Sequence, residues 1–207
     1  MKKAAVIGNP IKHSKSPLIH NYWLKKYKIE GSYEAIKAED NKDFENVIDK
    51  LVEQGYSGFN VTVPFKEKAY ELLSDVADYR IDNKIVRDLY EPLFYPNRVC
   101  LKAMNTIKIK RNVDGSPFFV GINTDYFGFA CSLWLQLGLG EIDNYLDFDL
   151  HSNIRNIVIL GAGGSARTIA NGLILNRFID FGLSKLIILN RDEGRAKALC
   201  ADLNNVV

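Results

Sequence analysis

Cysteine is scarce. Cys100, Cys131 and Cys200 are the only three in 207 residues. They are an odd, widely spaced set without a C-x-x-C pair, which argues against a disulfide framework and against a structural zinc site. They read as small buried hydrophobes of a reducing compartment. His13, His20 and His151 lack metal-ligand spacing, so no metal is assigned. Charge of one sign is also missing: the net charge is +2, with no basic run and no aromatic-basic interleaving, which excludes a nucleic-acid surface. No apolar stretch is long enough to span a bilayer. The opening Met1-Lys2-Lys3-Ala4-Ala5-Val6-Ile7 breaks at Gly8-Asn9-Pro10, too soon for the apolar core of a signal peptide. A cytoplasmic protein with neither nucleic acid nor membrane as partner is expected. The composition, 47% apolar and 25% charged, is that of ordinary globular domains, and the length suits one large or two modest ones.

The most informative stretch is Ser57-Gly58-Phe59-Asn60-Val61-Thr62-Val63-Pro64-Phe65-Lys66. Phe59, Val61 and Val63 alternate with Asn60 and Thr62, which predicts a strand with one apolar face and an amide and a hydroxyl on the other. Pro64 has no N–H to continue a ladder and suits the first turn of a helix over Phe65 to Leu73. Lys66 then stands at a strand-to-helix junction. In open α/β sheets ligands bind at such junctions, at the carboxyl ends of the strands. A buried strand followed by an ordinary surface lysine is the other reading.

Ala4 to Gly8 reads as a strand, followed by a loop with His13-Ser14-Lys15-Ser16-Pro17. Ser16 is a plausible N-cap with Pro17 at the first helical position, and Leu18, Tyr22, Trp23, Leu24 and Tyr27 form a helical apolar stripe. Two hydroxyls ahead of a helix N-terminus make a small anion site that a carboxylate would fit. Capping by Ser16, with Ser14 in water, is the alternative. Ser32 to Ile36 reads as a strand and Asn41 to Gln54 as a helix carrying Phe44, Val47, Ile48 and Leu51. This alternation predicts right-handed crossovers and a mainly parallel sheet. Tyr79 to Arg98, with Pro92 and Pro96, reads as an irregular excursion.

Val99 to Lys110 and Pro117 to Ile122 flank Asn112-Val113-Asp114-Gly115, which predicts an antiparallel hairpin. Asn105 on its first arm and Asp125 at the end of its second would face Lys66 across a pocket. Thr124 or Asp125 as a helix cap is the plainer reading. Phe127, Phe129, Leu133, Trp134 and Leu137 then suggest a connecting helix, and a polar acidic stretch runs from Gly140 to Asn153.

Arg155 to Leu160 is an apolar strand running into Gly161-Ala162-Gly163-Gly164-Ser165-Ala166, with a helix over Arg167 to Asn176. Strand, G-x-G-x-x-A loop and helix in that order are the dinucleotide-binding fingerprint. Leu186 to Leu189 supplies the next strand, and Asn190-Arg191-Asp192-Glu193-Gly194-Arg195 follows where an adenosine ribose is read. Guanidinium groups of Arg191 and Arg195 suit a 2′-phosphate, whereas the Asp192 carboxylate suits a free 2′-hydroxyl.

Together these motifs resemble the shikimate dehydrogenase family. The resemblance rests on Gly8-Asn9-Pro10-Ile11 with His13-Ser14 and Ser16-Pro17, on Phe59 to Pro64 with Lys66, and on Ala103 with Asn105-Thr106. It continues through Asn123-Thr124-Asp125 with Gly128, Gly161 to Arg167, and Asn190-Arg191. It implies reversible, nicotinamide-dependent reduction of 3-dehydroshikimate to shikimate, on the route to aromatic amino acids. Ser14 and Ser16 would hold the substrate carboxylate. Asn60, Thr62, Asn105 and Asp125 would bond its ring hydroxyls, and Lys66 with Asp125 would be the catalytic pair. Gly161, Ala162, Gly163, Gly164, Ser165, Ala166, Asn190, Arg191, Asp192 and Arg195 would hold NADP, with NAD as the alternative.

The implied architecture is α/β. Residues 1–125 form a mainly parallel α/β sandwich for substrate, 126–153 a connecting helix and linker, and 154–207 the first part of a Rossmann-like nucleotide domain. Four departures stand out. Lys102 replaces the family's usual glycine, the 79–98 segment is long, Asp192 replaces a small hydroxyl residue, and the carboxyl-terminal part of the family pattern is not in this chain. An open sheet edge would then invite a homodimer. Two alternatives remain: an NAD-preferring quinate/shikimate dehydrogenase, and a shortened, non-catalytic shikimate-binding module.

Overall fold

A computed structural model of the chain describes residues 1–72, 102–136, 155–175 and 185–204. The expectations for the 79–98 excursion, for Cys100 and for the 140–153 stretch lie outside those residues. The described residues fall into two compact units, 1–72 with 103–123, and 102 with 124–136, 155–175 and 185–204. Among them no helix is long and apolar enough to cross a membrane.

The first unit is built on β1 (Lys2–Gly8), α1 (Ser16–Lys26), β2 (Gly31–Lys37), α2 (Asn41–Glu53), β3 (Gly58–Val61), α3 (Lys66–Glu71), β4 (Thr106–Arg111) and β5 (Pro117–Ile122). Its sheet has the order β2-β1-β3-β4-β5. The first three strands are parallel, and β4 and β5 add the expected hairpin antiparallel. Helix α2 shows why alternation and helical periodicity are both needed. Asp40 caps it by accepting from the Asp43 N–H, and its buried residues are Phe44, Val47, Ile48 and Leu51, spaced to form one stripe. That stripe meets Ala5, Ile7, Phe59, Val61 and Ile107 from the strands and Phe65 ahead of α3. The Phe44 and Phe65 rings stack at 4.8 Å between centroids.

Glycine sets two close approaches in this sheet. A Cβ on Gly58 would lie 2.4 Å from the Ile107 carbonyl oxygen of β4. One on Gly8, at the carboxyl end of β1, would lie 2.3 Å from Thr62 Cγ2 and 3.1 Å from the Val63 carbonyl oxygen.

Several sequence expectations need correction. Strand β3 ends at Val61, and Val63 is 61% exposed, because residues 63–65 already turn toward α3. Helix α3 starts at Lys66 with Phe65 as its cap, so Pro64 stands ahead of the helix rather than in its first turn. Strand β4 begins at Thr106, so Asn105 precedes the strand. The apolar stripe of α1 is not a core face: Leu18, Tyr22, Trp23 and Tyr27 are exposed and Leu24 alone is half-buried. The small cluster of Val6, Ile11 and Tyr33 offers little to bury them against. Lys26 instead stands over the Tyr22 and Tyr27 rings.

The second unit carries α4 (Asp125–Gln136), β6 (Asn156–Leu160), α5 (Gly164–Leu175), β7 (Lys185–Leu189) and α6 (Glu193–Asn204). Strands β6 and β7 pair in parallel. One face of the pair packs Ile159, Leu186 and Ile188 on Ala162, Ala170, Leu199 and Leu203. The other presents Val158, Leu160, Ile187 and Leu189 to solvent. Helix α5 begins at Gly164, three residues before the expected Arg167. A Cβ on Gly172 would stand 2.1 Å from the Tyr126 ring, so a glycine is what lets α4 and α5 meet. Cys200 is exposed on α6, contrary to the expected buried thiol, because the buried stripe of that helix is Leu199 and Leu203.

Lys102 has φ +33, in the left-handed region that favours glycine. Its ammonium bonds Asp202 Oδ1 at 2.6 Å, and Arg167 pairs with the other oxygen of the same carboxylate. Burial opposes ionisation of Asp202, but the bonds from Lys102 and Arg167 outweigh it and hold the carboxyl below its ordinary range.

Candidate functional site

In the first unit the predicted polar residues gather at the carboxyl ends of the parallel strands. The β1 end continues into the serine loop, where the Asn9 N–H donates to Val63 O at 2.9 Å and the Thr62 N–H to Ile7 O at 2.9 Å. Those two bonds tie the loop after β1 to the loop after β3. Ser16 is the first residue of α1 and Lys15 occupies the cap position without a side-chain capping bond, so Ser16 is not the N-cap. Ser14 takes part of that role: its Oγ accepts from the Ser16 backbone N–H at 3.3 Å. Both hydroxyls therefore lie at the start of an eleven-residue helix, where unpaired N–H groups and the macrodipole favour an anion.

Asn60 and Thr62 are half-buried on the face opposite Phe59 and Val61. The Asn60 amide is held on every side. Its Nδ2 donates to Thr106 Oγ1 at 2.9 Å and to the Asn105 carbonyl at 3.2 Å, and its Oδ1 accepts from the Tyr33 hydroxyl at 2.6 Å. Thr106 in turn donates to Asn105 Oδ1 at 3.1 Å. The Asn105 backbone is fixed by Val61, whose N–H donates to its carbonyl at 2.8 Å, and by Ile122, whose carbonyl accepts its N–H at 3.1 Å. Lys66, the first residue of α3, is half-buried, and its carbonyl accepts from the Met104 N–H at 2.8 Å. The strand end, the α3 start and the segment ahead of β4 are thus joined through backbone bonds. A mostly apolar cavity of about 430 Å³ opens nearer the amino ends of these strands, lined by Lys2, Trp23, Leu24, Ile29, Gly58 and Lys108. Tyr33, Asn60 and Thr106 also line it, but none of Ser14, Ser16, Thr62 and Lys66 does.

Tyr33 is the member of this cluster that sequence reading missed. It is 6% exposed, and burial pushes its hydroxyl up to about 12, so it is a neutral donor. The alternation of β2 was its only sequence signal, and that marks Tyr33 as inward-facing without revealing a partner 27 residues away.

In the second unit Asp125 is the first residue of α4 rather than the end of a strand, and its carboxylate Oδ2 accepts from Ser165 Oγ at 2.9 Å. Ser165 lies in the first turn of α5, so the glycine-rich loop and Asp125 are in direct contact. The loop has the geometry a pyrophosphate needs. Gly161 has φ +116, and its N–H is drawn to Leu189 O at 2.7 Å. A Cβ on Gly161 or Gly163 would meet nothing within 4 Å, leaving open space in front of the backbone. Ala162 is buried beneath, and α5 presents its unpaired N–H groups just beyond.

After β7, the Asn190 side chain donates to Asp192 O at 2.9 Å, and Asp192 Oδ1 accepts from the Arg195 N–H at 3.1 Å. Asp192 is therefore the N-cap of α6, a role its sequence position did not disclose. Arg191 is exposed. Lys66 belongs to the first unit and Asp125 to the second.

Residues 6–80 match the shikimate dehydrogenase substrate binding domain. The shikimate dehydrogenase (NADP(+)) of Azorhizobium caulinodans is 33% identical over 201 residues, covering 97% of this chain and 58% of the relative. A shikimate dehydrogenase solved in complex with NADP+ superposes with a TM-score of 0.66 at 28% identity, covering 100% of this chain and 57% of its own. The Thermus thermophilus shikimate 5-dehydrogenase, solved with NADP(H) and shikimate, gives 0.61 at 27% identity, covering 99% and 61%. The chain thus spans under two thirds of the length of each. Over nearly its whole length the chain is similar to shikimate dehydrogenases, and residues 6–80 carry the shikimate dehydrogenase substrate binding domain.

Proposed function

We propose that the chain acts in the reversible reduction of 3-dehydroshikimate to shikimate with NADP(H). The observation that carries this reading is the bonded cluster of Asn60, Thr106 and Asn105 at the strand ends beside Lys66. It offers amide groups in fixed orientations to a ligand bearing several hydroxyls. The relatives named shikimate dehydrogenase (NADP(+)) support it. The substrates are small polar acids, which suits a cytoplasmic location.

The roles follow from the chemistry. Ser14 and Ser16 bind the substrate carboxylate at the start of α1. Asn60, Thr62, Asn105 and Asp125 bond the ring hydroxyls and fix the carbonyl carbon in place. Gly161 to Ala166 receive the pyrophosphate, and Asn190, Arg191 and Arg195 the adenosine ribose and its phosphate. A nicotinamide cofactor held there would supply the hydride for reduction of the carbonyl carbon. The Lys66 ammonium gives its proton to the carbonyl oxygen as charge develops there, yielding the alcohol. In this reading Asp125 is the second member of the catalytic pair.

The test is absorbance of reduced nicotinamide after mixing the chain with shikimate and NADP+, then with NAD+. Turnover with NADP+ is expected, and Lys66→Ala should abolish it while leaving shikimate binding nearly intact. An unchanged rate in that variant would remove Lys66 from the mechanism. A faster rate with NAD+ would favour the quinate/shikimate reading, for which the Asp192 carboxylate speaks. Binding of shikimate without turnover would favour the non-catalytic module.

A further inference from the structure

The bonds around Asn60 run in one direction. The Asn105 backbone carbonyl can only accept, so the group of Asn60 facing it is the NH2, and the oxygen must face Tyr33. An oxygen facing a hydroxyl at 2.6 Å makes Tyr33 the donor. Both Asn60 amide hydrogens are then taken, by Thr106 Oγ1 and the Asn105 carbonyl, and Thr106 passes its own proton on to Asn105 Oδ1. The order Tyr33 to Asn60 to Thr106 to Asn105 is therefore a polarised relay, with Tyr33 at its head.

Tyr33 is itself immobilised. Asn21 of α1 clamps its backbone twice, donating to its carbonyl at 2.7 Å and accepting its N–H at 3.0 Å. The His20 ring lies flat on the Tyr33 ring at 4.1 Å with a 10° interplanar angle. The same imidazole Nδ1 is 2.9 Å from the Ser16 carbonyl. One aromatic pair thus joins α1, which carries Ser16, to β2, and the Tyr33 hydroxyl extends the link to Asn60 on β3.

We propose that Tyr33 is a positioning residue of the substrate site, orienting the Asn60 amide, and through Thr106 that of Asn105, so that Asn60 meets a ring hydroxyl with its remaining oxygen lone pair as an acceptor. The proposal rests on the reading of Asn60 as a shikimate ligand. It makes Asn60 selective for a hydroxyl that donates, since turning its NH2 toward the ligand would break two bonds at once.

Tyr33→Phe removes the hydroxyl and keeps the ring stacked on His20. Calorimetric titration should show shikimate binding weakened about tenfold, the scale of one lost hydrogen bond to the half-buried Asn60 amide. A deoxy analogue lacking the ring hydroxyls but keeping the carboxylate should bind both proteins alike. Equal shikimate affinity in the two proteins, or equal weakening for both ligands, overturns the proposal, the second because it marks a merely structural role. If Tyr33→Phe fails to fold, Thr106→Val breaks the relay further along and should show the same selective loss, with Thr106→Ser restoring binding; no loss in Thr106→Val overturns it. If the unaltered chain does not bind shikimate, the ligand reading fails, and the Asn60 side-chain amide resonances decide the rest. Their shift and faster solvent exchange in Tyr33→Phe support positioning, and unchanged resonances overturn it.

Discussion

The Ser165 hydroxyl donates to the Asp125 carboxylate at 2.9 Å, linking the first turn of α5 to the first residue of α4. Asp125 is thereby held from the helix that follows the glycine-rich loop. Ser165→Ala should lower kcat about tenfold or more, the scale of a single bond to a charged group, with KM for NADP within about twofold of the original. Steady-state kinetics of shikimate oxidation check this, and an unchanged kcat would separate Ser165 from the carboxylate's role.

Asp192 caps α6 through the Arg195 N–H while placing negative charge beside Arg191. Serine caps a helix about as well as aspartate, so Asp192→Ser changes the charge and keeps the cap. The ratio of kcat/KM for NADP over NAD should rise about fivefold, and thermal stability should stay within about 0.5 kcal/mol. An unchanged cofactor ratio would show that the carboxylate does not bear on the 2′ position.

Asp202 joins Lys102 and Arg167, and Arg167 is only 6% exposed. Asp202→Asn leaves that guanidinium without its counter-charge and should cost about 2 kcal/mol in denaturant unfolding at neutral pH, less than a fully buried pair because the Asp202 side chain is 21% exposed. The folded carboxyl is held below its ordinary range, so its stabilisation is complete above that range and is lost as pH falls through the lowered value. The unaltered chain should therefore lose stability below about pH 4, with a shallower acid slope in Asp202→Asn.

Tyr33 gives the opposite window. Burial raises its hydroxyl from an ordinary 10.0 to about 12. Between those values the unfolded chain releases a proton that the folded chain keeps, so stability is full below pH 10 and falls as pH rises toward 12. Thermal melts across this range should show a steeper fall for the unaltered chain than for Tyr33→Phe.

Strong local periodicity made much of the fold legible. The burial of Phe44, Val47, Ile48 and Leu51 follows from spacing alone, and so does the division of β3 into a core face and a polar face. Glycines ahead of α5 announced the loop because a positive φ at Gly161 and an unobstructed backbone require them. The same logic failed on α1, where apolar spacing was present but the facing cluster is too small to cover it. It also failed wherever a side chain's role is set by a distant partner. Tyr33 meets Asn60, Lys102 meets Asp202, and Ser165 meets Asp125, over 27, 100 and 40 residues. Cap positions shifted by one residue at Ser16 and Phe65 because turn geometry, not side-chain type, fixes where helical dihedrals begin.

With no side chain at Gly8, the ends of β1 and β3 approach to an interval that a single added carbon would forbid, since it would collide with Thr62. The loop that carries Ser14 and the strand end that carries Asn60 and Thr62 are therefore geared together. The two are also bonded directly, Asn9 N–H to Val63 O and Thr62 N–H to Ile7 O, so on the proposed reading the gap between the carboxylate-binding and hydroxyl-binding groups is a fixed length. A ligand is measured against that length. Sequence drift can change what the jaws are made of far more readily than how far apart they stand.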